Sequence, residues 1–288
     1  MSLQKRYKII SWLFIIPAVA IIVLTKFYPM LEAFTLSLKS GIGANMRFVG
    51  FGNYTRMVND TLLKSSLINT VLYLVQVPIM LVLGLILASI LNSPNLKFKG
   101  FFRTMIFIPC ITAAVSYSMI FRTIFGSSGL INNCLLKWGV ITSAIPFLED
   151  PWLARMVIIV AMTWRWTGYN TMFYLSGLQT IDPAVYEAAR IDGANSAQIF
   201  RKITIPLLKP VILMTVISSI NGTMQLFAET KNITNGGPGN ATITLSNYIY
   251  KLSFEFTPNF GYASAVSYII FIIVAVLALV QMKVGDKR

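Results

Sequence analysis

EAARIDGANSAQIFRKITIP, residues 187–206, is a polar island between two long apolar runs and carries more information than any other stretch of the chain. Asp182 can accept the free amides of a first helical turn and Pro183 suits the first helical position, so a helix is expected from there. Along PAVYEAARID, Ala184, Ala188 and Ile191 fall on one side, with Tyr186, Glu187 and Arg190 on others. Gly193 stops this helix, because glycine reaches the left-handed conformation at little cost. A second helix is expected over about 195–203, and Pro206 begins the next apolar run. Small alanines let such a helix lie close to a partner surface, with Glu187 and Arg190 at its edge. The alternative is an ordinary amphipathic helix resting on a membrane surface.

The runs on either side are of membrane length. The chain has 288 residues, 56% hydrophobic and 12% charged, with a mean hydropathy of +0.69. That composition suits a polytopic membrane protein. A helix crossing a hydrocarbon core of roughly 30 Å needs about 20 mostly apolar residues. Six runs qualify, at about 9–29, 66–91, 102–124, 153–176, 206–227 and 261–282. The fold class expected is therefore all-α, with six transmembrane helices, the 187–206 loop between the fourth and fifth, and one domain over 1–288. Alternating ten-residue segments of a β-barrel are not seen. Lys5, Arg6 and Lys8 precede the first run, but no small-residue cleavage site follows, so it reads as an uncleaved span.

The net charge of +14 raises the question of nucleic acid, and its distribution answers it. With both termini inside, Lys97, Lys99, Arg103, Arg190, Arg201, Lys202, Lys209, Lys283, Lys287 and Arg288 join the amino-terminal cluster in short cytoplasmic segments. That is the positive-inside pattern, so no nucleic-acid partner is expected and membrane lipid is. Cys110 lies in a span and Cys134 in an external loop, giving neither a disulfide framework nor metal spacing. Histidine is absent, which removes the commonest general base and metal ligand. No metal site is expected.

The first external loop, about 30–65, carries Gly41, Gly43, Gly50 and Gly52 and should be rich in turns. The third, about 228–260, contains Asn235-Gly236-Gly237-Pro238-Gly239, a strong turn signal. Pro17, Pro78 and Pro109 fall in or near spans, as gating hinges or as static kinks. Gly84 and Ala88, four apart, suit close helix packing.

Glu187-Ala188-Ala189, Gly193 and Ile203-Thr204-Ile205-Pro206, at these spacings, resemble the EAA loop of the permease subunits of binding-protein-dependent ABC importers. Ile205 stands where that family usually has leucine. TNGGPGNATITLSNYIYKLSFEF, residues 234–256, and Gly261-Tyr262-Ala263-Ser264-Ala265 look like the carboxy-terminal signature of the maltose-type first permease of carbohydrate importers. The resemblance covers nearly the whole chain. It implies a bacterial cell-membrane protein paired with a second permease, with two ATP-binding cassette subunits beneath and an external solute-binding protein that delivers a sugar. It also implies that Tyr186, Glu187, Ala188, Ala189, Arg190, Asp192, Gly193, Ala194 and Pro206 couple this chain to the ATPase. ATP and Mg would sit on that partner, and no catalytic residue is expected here; the chain has no G-x-x-x-x-G-K-[ST] loop.

Span four, MVIIVAMTWRWTGYNTMFYLSGLQ, places Trp164, Thr167, Gly168 and Thr171 on one face at i, i+3, i+4 and i+7. An aromatic ring, a bare backbone position and two hydroxyls suit a sugar. By resemblance, Trp166, Gly168 and Tyr169 mark the segment that contacts substrate in the maltose-type subunit, and Ser219 and Thr223 match substrate-lining positions. Asn221 and Gln225 form an adjacent polar stripe, and Cys110 is a weaker candidate. All of these groups could equally bond between helices. Arg165, near a helix centre, needs a polar surrounding. It could bind an anionic sugar, pair with a carboxylate of another subunit, or reach headgroups; no carboxylate in this chain's own spans is an obvious mate. The competing functions are an ABC permease for a non-sugar solute, or an ion-coupled secondary transporter, which more often shows inverted repeats and discontinuous helices, neither of which is seen in the sequence. A membrane enzyme lacks a site: no paired intramembrane carboxylates and no metal-ligand cluster are found.

Overall fold

The computed structural model describes residues 3–42 and 45–286; Gly43, Lys287 and Arg288 lie outside the described residues, as do the side chains of Lys5, Arg6 and Lys8. In chain order the helices and strands are α1 (Leu3–Ile22), α2 (Tyr28–Ser37), β1 (Lys39–Ser40), β2 (Arg47–Phe48), α3 (Gly52–Met57), α4 (Thr61–Leu72), α5 (Gln76–Asn92), α6 (Lys99–Ile111), α7 (Ala114–Phe125) and α8 (Leu130–Lys137). They continue with α9 (Pro151–Gln179), α10 (Pro183–Ile191), α11 (Ser196–Ile199), α12 (Ile205–Met224), α13 (Leu245–Tyr250) and α14 (Phe260–Asp286).

Four helical stretches among the described residues are long and apolar enough to cross a membrane: Ser11–Ser37, Thr61–Asn92, Ser196–Met224 and Phe260–Lys283. A fifth is counted if Lys99–Ile111 and Ala114–Lys137, bent 96° apart, form one span. The 29-residue α9 is not among them, because Arg165, Asn170 and several hydroxyls dilute its middle.

Three departures from the hydropathy reading have physical causes. The first helical stretch does not end at Pro29 but continues to Ser37 through a π-helical turn, Val23–Phe27, in which the Tyr28 amide bonds back to the Val23 carbonyl. The same device recurs at Phe200–Thr204, where the Ile205 amide bonds to the Phe200 carbonyl. The expected second loop helix is therefore continuous with the fifth span from Ser196 to Met224. In both places a proline follows within two residues, at Pro29 and Pro206. The wider turn makes room for a ring that an α turn would clash with and that has no amide to donate. The third departure is inside run 102–124. Thr112 and Ala113 take extended backbone angles (ψ 135° and 137°) and part α6 from α7, so a discontinuous helix is present after all.

The chain groups into two units: residues up to Asp60 with Ile249–Phe271, and Thr61–Tyr248 with residues from Ile272. In the first, β1 and β2 pair as a short antiparallel hairpin. Asn53 Nδ2 donates to the Ser37 and Lys39 carbonyls at 2.7 and 2.8 Å, tying α3 to the end of α2. Tyr268 donates to the Met30 carbonyl at 2.5 Å, Tyr262 to Asp60 at 2.5 Å, and Gly261 is the only residue type that fits against the Lys39 carbonyl. The most apolar 18 residues of the first stretch are all unburied.

The second unit is built around α5 and α9. A side chain at Gly84 would press on Asn170 and the Thr171 amide at 3.2 and 3.3 Å, so the small residue lets the two helices close up. Val77, Met80, Leu81, Ala88 and Leu91 of α5 bury against Tyr174, Leu175 and Leu178 of α9 and Leu208 of α12. Two side-chain bonds link the layers: Tyr174 with Thr215 at 2.7 Å and Gln76 to Thr223 at 2.8 Å. A second core joins Tyr73, Tyr117, Val157, Ile158 and Met162 to Leu226 and Ile233.

Candidate functional site

The loop between α9 and α12 is held by its own caps. Asp182 Oδ1 accepts from the Ala184 amide at 2.9 Å with Pro183 beside it. At the other end of α10, the Asp192 amide donates to the Ala188 carbonyl, Gly193 to Arg190 and Ala194 to Ala189, at 2.9, 3.1 and 3.0 Å. Gly193 sits at φ +79°, the left-handed position this kind of helix ending needs. Asn195 and Gln198 then exchange two bonds, at 2.8 and 2.9 Å, in a reciprocal cap on α11. Between the helices lies an open groove of about 340 Å³ lined by Ala189, Asp192, Gly193, Ala194, Gln198, Lys202 and Ile203.

Of the loop residues singled out above, Ala189 is buried and Tyr186 half-buried, its hydroxyl 3.5 Å from Thr204. Glu187, Ala188, Arg190, Asp192, Gly193 and Pro206 are exposed, and Ala194 is half-buried. Ile191 is 86% exposed, a large apolar side chain with no cover from this chain.

Span four divides its candidates into two sets. Thr167 and Thr171 are buried and turn their hydroxyls onto their own helix, donating to the Thr163 and Thr167 carbonyls at 2.6 and 2.8 Å. Gly168 is where α6 crosses: a Cβ there would overlap the Ile106 carbonyl oxygen. These three sit against neighbouring helices. Trp164 is different, at 45% exposure, with its ring 5.6 Å from Phe121 and 6.2 Å from Tyr117 between centroids. Trp166 is half-buried and meets the Tyr169 ring edge-on at 5.8 Å.

In span five, Thr223 is buried, accepting from Gln76 and donating to the Ser219 carbonyl at 2.8 Å. Ser219 is half-buried and Gln225 exposed. Asn221 Oδ1 is buried without a hydrogen-bond partner. Cys110, half-buried, is the last but one residue of α6 and follows Pro109.

Arg165 has a mate within the chain, contrary to the sequence reading. Its Nη1 lies 3.4 Å from Glu229 Oε1, and Tyr117 donates its hydroxyl to the same oxygen. The guanidinium stands 4.8 Å over the Tyr117 ring and 4.9 Å over Trp166. Glu229 lies just past the end of α12, outside the run that hydropathy marks as a span, so a search for carboxylates inside spans passes over it. The signal available was its isolation: an acid four residues after Gln225, beside an apolar run. Tyr117 carried no signal beyond its type.

The long apolar helices among the described residues mark a polytopic membrane protein. Residues 80–286 match the family described as the inner membrane component of binding-protein-dependent transport systems, and the chain belongs to that family. It is 50% identical over its full length to 97% of the lactose transport system permease protein of Rhizobium radiobacter. It is 34% identical over 96% of its length to 89% of an arabinooligosaccharides transport system permease protein of Bacillus subtilis. Among solved structures, a bacterial ABC transporter involved in the import of the acidic polysaccharide alginate shares the fold, with a TM-score of 0.84, 20% identity, and coverage of 99% of this chain and 97% of that one.

Proposed function

We propose that this chain is one of two permease subunits of an ATP-driven importer and forms half of the path for a sugar or oligosaccharide delivered by an external binding protein. The observation that carries the reading is the capped α10–Gly193–α11 loop between two long helices, in a chain of this family whose relatives carry sugars in their names. In this reading both termini face the cytoplasm and the chain works as one permease domain of six spans, counting α9 and the bent α6–α7 pair. Residues 186–194 and Pro206 meet a separate ATPase subunit, which holds ATP and Mg. The path runs past Trp164 and Arg165, with Cys110, Ser219, Asn221 and Gln225 as further lining, while Thr167, Gly168, Thr171 and Thr223 hold the helices that frame it.

The test is purification of the chain from its membrane with whatever accompanies it, followed by uptake into vesicles. A second permease and an ATPase should come with it, and uptake of radiolabelled lactose, the first sugar to try, should require ATP. Uptake indifferent to ATP would sink the importer reading. Trp164→Ala should slow sugar uptake about two- to twelvefold, the worth of one aromatic contact of about 0.5–1.5 kcal/mol, while sparing assembly. Loss of assembly instead would make Trp164 a packing residue.

A further inference from the structure

Arg165 and Glu229 meet in a place where neither is needed for the fold's regular hydrogen bonding, and the way they meet is informative. The Glu229 side chain is 6% exposed and the Arg165 side chain 15%. A guanidinium offers five donors, yet Arg165 Nη1 reaches Glu229 only at 3.4 Å, and its Nε is buried without a partner. Charge-assisted bonds are ordinarily shorter, about 2.7–2.9 Å. The Glu229 carboxylate is better anchored, because Tyr117 donates to it. The preceding residue, Trp164, is half exposed beside Phe121 and Tyr117. The arrangement is thus an anchored acid cancelling the charge of a loosely bonded arginine, next to an aromatic ring that is open.

We propose that Glu229 is a specificity-determining residue that neutralises Arg165, so that this wall presents polar but uncharged chemistry and takes neutral saccharides in preference to carboxylated ones. The inference rests on the reading of Trp164 and Arg165 as lining of a sugar path. Three observations support it. The pair joins opposite unit charges within one salt-bridge distance. The guanidinium lies over two rings, those of Tyr117 and Trp166, and moving it away from the acid would give up both contacts. The one bond from Nη1 to the acid is long, at 3.4 Å, so the acid offsets the charge without saturating the five donors of the guanidinium. With the acid removed, the same donors would face an unmatched positive charge in surroundings of low dielectric, where a carboxylate ligand gains most.

The experiment uses the whole importer in proteoliposomes, with binding protein and radiolabelled lactose outside. Methyl glucoside or methyl glucuronide is entrapped in the lumen with ATP. The two probes differ only in a CH₂OH against a carboxylate, and from the lumen they meet the permease without selection by the binding protein. Glu229→Gln keeps the size and the oxygen that Tyr117 bonds. It should increase inhibition by the glucuronide relative to the glucoside by about tenfold, a shift of the size one unit charge gives nearby. Arg165→Gln should shift the ratio the other way, and the double variant should return it towards the wild type. A ratio that ignores the sign of the charge removed would overturn the proposal. So would loss of both single variants from the assembled complex with recovery of the double, which would make the pair a packing device. Failure of the wild type to take up lactose with ATP counts against the transport reading, a different result from an unmoved ratio.

Discussion

Gly168→Ala should destabilise the assembled importer, although alanine is the better helix former by about 0.5–1 kcal/mol. The added carbon overlaps the carbonyl oxygen of Ile106. That obstacle is backbone of α6 and cannot rotate out of the way as a side-chain tip could. Overpacking of this kind costs about 1–3 kcal/mol, more than the propensity gain returns. The expected result is a lower melting midpoint and a smaller yield of intact complex, with Gly168→Leu giving almost none. Gly100→Ala is the control: it lies in the same α6, and no atom stands within 4 Å of the carbon it adds. It should be neutral or slightly stabilising. Equal stability of wild type and Gly168→Ala would mean that α6 and α9 do not approach so closely.

Gly193→Pro should leave the complex intact and abolish most of its transport. Proline holds φ near −65°, and Gly193 sits at +79°. Its amide, which donates to the Arg190 carbonyl at 3.1 Å, would also be lost. Backbone forced out of place by this much costs about 1–3 kcal/mol, enough to cut the population of the correctly turned loop by about five- to 150-fold. The spans are spared because Gly193 is exposed and nothing lies within 4 Å of an added carbon. For that reason Gly193→Ala should show only the cost of the left-handed angle and lose activity a few-fold. Uptake in vesicles alongside recovery of the complex reads both effects. Normal uptake by the proline variant would remove this turn from the mechanism.

What was legible in the sequence follows from what each signal measures. Hydropathy senses transfer into lipid, and it located every long apolar helix. It cannot sense a change of backbone direction that exposes no polar side chain, so the break at Thr112 and Ala113 passed unseen. The first run was read as ending at residue 29 and the fifth as starting at Pro206, and a π turn just before each proline carries the helix through both points. Caps were legible because their chemistry is local: Asp182, Pro183 and Gly193 act within a few residues of themselves. The Arg165–Glu229 pair spans 64 positions, and no local rule connects them. Gly168 shows a different limit. A bare backbone position reads the same whether a sugar or another helix comes close, and only the position of Ile106 decides between them.

The caps around residues 182–198 have one more consequence, for timing. An exposed segment that must order itself on meeting a partner loses roughly 1–2 kcal/mol of freedom for each residue it fixes, and its association is weakened accordingly. Here the helix start at Asp182, the glycine ending and the Asn195–Gln198 exchange have set the shape in advance. In the importer reading proposed above the loop would meet its partner already folded, and a push on it would reach α12, continuous with it through Phe200–Thr204. In that reading the ordering of the loop would add no step of its own to the transport cycle.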